Sequence, residues 1–363
     1  MHNNNFNKAA LGLVAIISAG SVQAGLLDLS GQEYFTYGNT NSYSMPISAY
    51  RYDLANGGGT GPGNPFYIAS TPGAIKDLVV IYTGASGVDV TTNAAGFEDA
   101  YQTPSGSHPL FASTTGIGVV APTGTASKGI TTTYDRTWDA SLSAMKTFLN
   151  GGNPLFLFNN NETKTDEHLA IWAKVWITDG NGAMVNHSLY LSNTAHPYGL
   201  GGMPFGDATT YNPGEVQPAF YGIDPATGRP LTDYVLSGGD VCIDKATGAD
   251  ALGCGPGTVV INHNLGANQV AYVGDVPLLD LWLDDLFKNA SNLGQYSLHM
   301  QLNLGCDPDY LSVQQCDNFK IDNGFEQLFL ASTASNFVPE PSTVALFGLG
   351  LLGLAALRLR QDA

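Results

Sequence analysis

Seven histidines and 31 acidic side chains are scattered through the chain, and none stands at a spacing that commits it to catalysis. There is no His-Glu-x-x-His helix for zinc, no Gly-x-Ser-x-Gly elbow and no phosphate-cradling Walker loop. His168, beside Glu167 and ahead of a strand-like run, and His263, within Asn262-His263-Asn264, are the two imidazoles worth weighing as general bases. For each, an ordinary turn or strand-end role is the simpler account. Hard oxygen ligands crowd Asp307-Pro308-Asp309 and Asp317 through Asp322-Asn323, and again Asn159-Asn160-Asn161-Glu162. Calcium, which takes six to eight oxygens at ~2.3–2.6 Å, is the cation such loops suit. A solvated acidic loop is the simpler reading, since none shows the EF-hand spacing. Trp172 and Trp176, with Lys174 between them on one strand face, have the form of a platform for sugar rings. Core packing is again simpler, because the opposite face is apolar too. Gly348-Leu349-Gly350-Leu351-Leu352-Gly353 satisfies a dinucleotide pattern without the preceding strand or following acid that would confirm it, so no cofactor is assigned.

The chain's last residues are more specific. Val338-Pro339-Glu340-Pro341-Ser342 precedes an unbroken apolar stretch, Thr343 to Leu357, and then Arg358-Leu359-Arg360-Gln361. Prolines on both sides of a glutamate interrupt helix and ladder alike, leaving an extended piece open to a processing enzyme. The apolar stretch spans about 22 Å as a helix. Arg358 and Arg360 can snorkel to the headgroups and favour the cytoplasmic side, which puts everything before them outside.

This combination resembles the PEP-CTERM sorting signal of Gram-negative bacteria. The resemblance implies recognition by an exosortase, a membrane-embedded cysteine protease or transpeptidase, with cleavage at or near Pro339-Glu340-Pro341. It also implies an envelope built around exopolysaccharide or biofilm matrix. It covers about 25 residues and speaks to fate rather than activity.

The other end agrees. Lys8, the apolar run Ala9 to Ala19, and small residues Val22 and Ala24 form a three-part secretory signal, with cleavage between Ala24 and Gly25. Its apolar run covers about 16 Å, against a hydrocarbon core of ~30 Å, which is too short to remain as an anchor. The expected division is 1–24 signal peptide, 25–337 exported ectodomain and 338–363 sorting signal with a transmembrane helix and basic tail. Signal peptidase and exosortase are the expected processing partners, with the inner membrane holding the precursor before release to the cell surface or exterior.

Cutting after Ala24 and Glu340 leaves 11 Lys+Arg, once Lys8, Arg358 and Arg360 are gone, against 30 Asp+Glu, a net charge of −19. So acidic a body lacks the clustered cations that phosphate binding needs, which excludes nucleic acid as a partner. Cys242, Cys254, Cys306 and Cys316 all lie in the exported part. An oxidising compartment and an even count point to two disulfides. Of three connectivities, Cys242 with Cys254 and Cys306 with Cys316 are preferred, because each pair brackets a short Gly/Asp-rich loop. Zinc is the rival, without a Cys-x-x-Cys to support it.

The elements around these residues are chiefly strands. Tyr296 to Leu304 alternates apolar and polar residues, the pattern of a strand with one wet face, and Leu169 to Thr178 is apolar on both faces. Shorter runs stand at Leu78–Tyr82, Leu155–Phe158, Ser188–Leu191, Thr258–Ile261 and Gln327–Leu330. Asp179-Gly180-Asn181-Gly182 is a hairpin turn. Ile223-Asp224-Pro225-Ala226-Thr227-Gly228 and Ile243-Asp244-Lys245-Ala246-Thr247-Gly248 share an Asp-x-Ala-Thr-Gly core, which suits two tight loops. One helix carries Trp138, Leu142, Met145, Phe148 and Leu149 on one face and stops at Gly151. A second has Asp275 as cap and Pro277 in its first turn. Segments 56–65 and 195–222 are expected to be long surface loops.

The expected architecture is a mainly antiparallel β-sandwich or jelly-roll-like ectodomain with about two helices, plus a C-terminal transmembrane helix. The expected role is a non-enzymatic envelope or extracellular-matrix protein associated with exopolysaccharide. A calcium-dependent carbohydrate-binding module is the alternative, and a secreted hydrolase comes third.

Overall fold

The computed structural model describes residues 25–70, 79–83, 93–102, 107–108, 110–112, 129–132, 137–160, 171–192, 222–223, 230–231, 241–251, 254–266, 269–305, 321–322 and 326–337. In chain order these open with β1 (Gly25–Leu26), β2 (Phe35–Tyr37), β3 (Thr40–Ser44), α1 (Met45–Asn56), β4 (Val79–Thr83), β5 (Tyr101–Gln102), β6 (Ser107–His108) and β7 (Leu110–Ala112). The middle holds β8 (Trp138–Ser141), α2 (Leu142–Leu149), β9 (Pro154–Asn159), β10 (Ile171–Thr178), β11 (Leu189–Ser192), β12 (Gly222–Ile223), β13 (Pro230–Leu231), β14 (Val241–Asp244) and β15 (Thr258–Ile261). The last part holds β16 (Tyr272–Asp275), α3 (Pro277–Asn289), β17 (Ser297–Gly305), β18 (Ile321–Asp322), β19 (Gln327–Ser332) and β20 (Asn336–Phe337).

Two antiparallel sheets carry the body. The larger runs β2-β3-β16-β9-β19-β4-β5, with only the β4–β5 pair parallel. The smaller runs β11-β10-β17-β7, and β8 also pairs with β17. Phe156, Phe158, Tyr272 and Leu328 of the first sheet and Ala173, Val175, Met300 and Leu302 of the second belong to one buried cluster. Between them lies a cavity of about 10 Å³ lined from both sheets, room for at most one water.

Among the described residues there are three α-helices where about two were expected. The additional one is α1, in which Ser44 Oγ accepts from Ile47 N at 3.2 Å and proline stands in the first turn. α2 is shorter than its apolar stripe: Trp138 lies in β8, Ser141 caps the helix, and left-handed Asn150 (φ 47°) ends it one residue before Gly151. α3 has Pro277 in its first turn as expected, but its N-cap is Val276 rather than Asp275 and no side chain caps it. Asp275 is the last residue of β16 and is engaged elsewhere.

β17 also departs from expectation, since its polar face is not wet. Ser297 and His299 have no exposure, Asn303 is buried and Gln301 is half-buried. Among the described residues no helix is long and apolar enough to cross a membrane, and Thr343–Leu357 lies outside them.

Candidate functional site

The strongest chemical constellation stands on the outer face of the smaller sheet. β8 and β17 set Asp139 directly opposite His299, and β10 brings Thr178 beside them through its pairing with β17. His299 Nδ1 lies 2.8 Å from Asp139 Oδ1, and Thr178 Oγ1 lies 2.8 Å from Nε2. A carboxylate only accepts, so Nδ1 carries the proton, and in the neutral ring Nε2 accepts from the threonine hydroxyl. Thr137 Oγ1 donates to the same Asp139 oxygen at 2.6 Å. The backbone N–H of Asp139 donates to Glu98 Oε2 at 2.9 Å, and Trp138 Nε1 donates to the Glu98 carbonyl at 3.2 Å.

Carboxylate, imidazole and hydroxyl in this order activate a nucleophile in hydrolases. Here all three have 0 % exposure, so no substrate carbonyl meets Thr178 in this conformation. The relay gives each member a complementary partner and ties together three paired strands, β8, β17 and β10. Sequence reasoning missed it. Asp139 and His299 are 160 residues apart, and only the alternation that placed His299 on a polar face hinted at it.

His263 was singled out in sequence, and its surroundings are now explicit. Its Nε2 is 2.6 Å from Ser44 Oγ, both residues are fully buried, and burial pushes its pKa down to about 3. The ring is therefore neutral, and it backs the hydroxyl that caps α1. His168 and Glu167 lie outside the described residues.

Two acid pairs share protons. Asp280, in the first turn of α3, is raised to about 8, first by burial and then by the charge and hydrogen bond of Asp275. Asp275 is also raised, by burial, and it accepts from the protonated Asp280. This is the correction for the expected cap: Asp275 holds α3 through a carboxyl pair instead. Asp250 is raised to about 7 by burial and by Glu33, while Arg51 pulls it back. Arg51 pairs with Glu33 and, at 2.9 Å, with Asp250, and its Nε donates to the Gly248 carbonyl at 2.7 Å.

Those contacts fasten α1 to the β14–β15 hairpin. Inside the hairpin, Asp244 Oδ1 accepts from Ala246 N at 3.0 Å and from Thr247 N at 2.8 Å, and Gly248 takes φ 72°, as the Asp-x-Ala-Thr-Gly loop requires. Cys242 and Cys254 form a disulfide with Cα atoms 5.3 Å apart. Cys306 and Cys316 lie outside the described residues, as do Asp224–Gly228.

The remaining candidates come out as follows. Asp307, Asp309 and Asp317 lie outside the described residues, and Asp322 ends the two-residue strand β18. Asn159 and Asn160 are fully buried rather than solvated, with Asn159 Nδ2 donating to Ser70 Oγ at 3.3 Å, and Asn161 and Glu162 lie outside the described residues. Among the described residues no three His, Cys, Asp or Glu side chains are placed to hold a metal. Trp176 is buried, its ring 5.3 Å from His299 and covered by Lys174 Nζ at 5.5 Å, so it offers no open face to a sugar. Ala24 and the tail residues Pro339, Glu340, Pro341, Ser342, Arg358 and Arg360 lie outside the described residues. Their described neighbours are paired: Gly25 stands opposite Phe337, and Leu26 opposite Asn336.

Compared with known proteins, residues 26–303 match a family model described as a domain of unknown function, DUF8239. Residues 337–361 match the PEP-CTERM protein-sorting motif. No curated protein and no solved structure matches.

Proposed function

The chain belongs to the DUF8239 family, and from that membership and its sorting motif we propose that it is an exported structural or interaction protein of the extracellular matrix, associated with exopolysaccharide. The PEP-CTERM motif marks an exosortase-processed protein exported to the cell envelope or surface, and this single observation carries the reading. On our reading, residues 1–24 are removed by signal peptidase. Residues 343–357 then hold the precursor in the inner membrane of a Gram-negative cell, with Arg358 and Arg360 on the cytoplasmic side.

Three features of the body support a structural role. Its facing antiparallel sheets fit a β-sandwich, a common plan for secreted domains that present surfaces. Its best acid–imidazole–hydroxyl relay is sealed from solvent. A disulfide staples the β14–β15 hairpin, as suits an oxidising exterior.

Mass spectrometry of the surface form tests the reading. The mature C-terminus is expected at or near Glu340, without Arg358 and Arg360. A surface form that retains Arg358 would overturn it, as would a chain lacking residues 338–363 that is sorted and retained like the full-length protein.

A further inference from the structure

The β14–β15 hairpin belongs to neither large sheet; among the described strands the two pair only with each other. Val241, Ile243 and Ile261 bury one of its faces in the core, so what it leaves open is an edge. Along the ladder Asp244 stands opposite Thr258, Ile243 opposite Val259 and Cys242 opposite Val260. Lys245 N donates to the Gly257 carbonyl at 2.8 Å, which sets the alternation. Ile243 and Val259 therefore exchange bonds, as do Val241 and Ile261, whereas Cys242, Asp244, Thr258 and Val260 turn their backbone groups away from the ladder. On the β14 side those groups are met: Ala251 N donates to the Cys242 carbonyl and Asp244 N to the Ala249 carbonyl, both at 2.8 Å. On the β15 side, among the described residues, no hydrogen bond reaches the N–H or the carbonyl of Val260, and this residue is 49 % exposed.

The molecule closes a comparable edge elsewhere. β11, at the margin of the smaller sheet, is covered by the turn between β2 and β3: Asn39 N donates to the Tyr190 carbonyl and Tyr190 N to Asn39 Oδ1, each at 2.9 Å. Open edges are ordinarily blunted by a charge or a proline, and Thr258-Val259-Val260-Ile261 carries neither. Every one of its side chains is β-branched, the type that strands favour. No Asp, Glu, Lys or Arg occurs from Ala251 to Gly274, on a chain whose net charge is −17. Two copies of so acidic a chain repel over much of their surfaces, and this edge adds nothing to that repulsion.

We propose that β15 is a self-association edge, at which a second copy of the chain pairs antiparallel with Val260 on the two-fold axis, so that the two hairpins form one continuous sheet. Outward groups recur at every second residue, and the row is therefore complementary to itself. Val260 of each copy donates its N–H to the Val260 carbonyl of the other, and the Thr258 carbonyl of each accepts from the Asn262 N–H of the other. The two Val260 side chains then lie side by side on the face that carries the disulfide, since Cys242 stands opposite Val260. Such a contact uses the same patch on both copies and closes at two. A four-residue edge is a small interface, so the pairing is weak in dilute solution and grows where copies are crowded on one surface. It goes beyond the exported structural role and depends on the hairpin alone.

Amide hydrogen exchange on the full-length chain in detergent micelles, at about 10 μM and about 1 mM protein, tests the edge. The Val259 N–H, bonded to β14 within one copy, is the internal reference. Exchange at Val260 and Asn262 is expected to slow roughly threefold or more at the higher concentration while Val259 stays unchanged. Val260→Lys, which puts a charge on the edge, is expected to abolish the slowing at both positions. Fast exchange of Val260 at both concentrations overturns the proposal. So does equal protection at both, since the edge would then be covered within a single chain. Slowing that survives Val260→Lys overturns it too, because association would then run through another surface. If Val260→Lys fails to fold, which loss of protection at Val259 reports, the wild-type comparison decides alone.

Discussion

Asp139 and Asp280 are both acids held away from water, and the molecule holds them in opposite ways. Asp139 receives His299 Nδ1 and Thr137 Oγ1 on one oxygen and has no exposure at all. Asp280 is half-buried against another carboxyl, Asp275, and burial keeps it protonated up to about pH 8. An acid surrounded by donors keeps its place through geometry, whereas an acid facing an acid keeps its place by holding a proton. The first arrangement therefore fails when a partner is deleted, and the second fails when the pH rises.

Deleting the carboxylate of the relay is the harshest way to break this contrast. Asp139→Ala removes the acceptor that the buried His299 imidazole and the Thr137 hydroxyl share, and is expected to cost about 3–5 kcal/mol in urea unfolding. Thr178→Val, which removes only the far end of the relay, is expected to cost about 1–2 kcal/mol. If Asp139→Ala cost under ~1 kcal/mol, the relay would be worth no more than an exposed ion pair.

A covalent link holds the other proton-sharing pair. Asp250 sits in the loop closed by Cys242 and Cys254, 12 residues apart, and reaches Glu33 and Arg51 only while that loop keeps its shape. The Cys242→Ala/Cys254→Ala double variant is expected to lose about 3 kcal/mol by the chain-entropy account. The carboxyl of Asp250 should at the same time fall back toward its ordinary range, as seen by NMR titration. A variant that unfolded earlier yet kept Asp250 near 7 would show that Arg51 and Glu33 position the hairpin without the disulfide.

How much of this was legible in sequence differs along the same line. Strands at 79–83, 154–159, 189–192, 258–261 and 327–332 follow from short apolar runs between turns. The hairpin after Thr178 follows from Asp179, whose Oδ1 accepts from Asn181 N at 2.9 Å and Ala183 N at 3.0 Å. These are local signals. The alternation in β17 assigned its residues to two faces, but it carried no information about what would lie on the polar one, so a sealed face was read as wet. Helix α1 was missed because its apolar residues, Met45, Ile47 and Ala49, do not trace a helical stripe. Ser44, the proline after Met45 and the glycines after Asn56 were the available signs. Asp275 satisfied the rule for a cap and was taken up by Asp280 instead, a tertiary contact that no local rule contains.

Two caps separate local from tertiary contributions. Ser44 and Ser141 each accept a backbone N–H at 3.2 Å from three residues on, but only Ser44 also meets a buried histidine. Ser141→Ala is expected to cost about 1 kcal/mol, the ordinary value of a cap. Ser44→Ala should cost about 2 kcal/mol, because it also leaves His263 Nε2 buried without a partner. Equal losses in thermal unfolding would mean that His263 adds nothing to the capped hydroxyl.

The smallest effect is the one that only the acid pairs can produce. A carboxyl whose folded pKa lies above its ordinary value binds its proton more tightly when folded. Its contribution is present in full below the ordinary 3.8 and is lost as pH rises through the folded value. For Asp250 that loss runs from the ordinary 3.8 up to about 7 and for Asp280 from 3.8 up to about 8, so stability should decline over this range and level off above it. Asp280→Asn keeps a donor for Asp275 but cannot ionise. It should flatten the upper part of the decline by about 1–2 kcal/mol, a value reduced from the full linkage because water screens a group that is partly exposed. Asp250→Asn should flatten the lower part. Chemical denaturation at stepped pH reads both, and slopes identical to wild type in the two variants would remove proton sharing as the source of the decline.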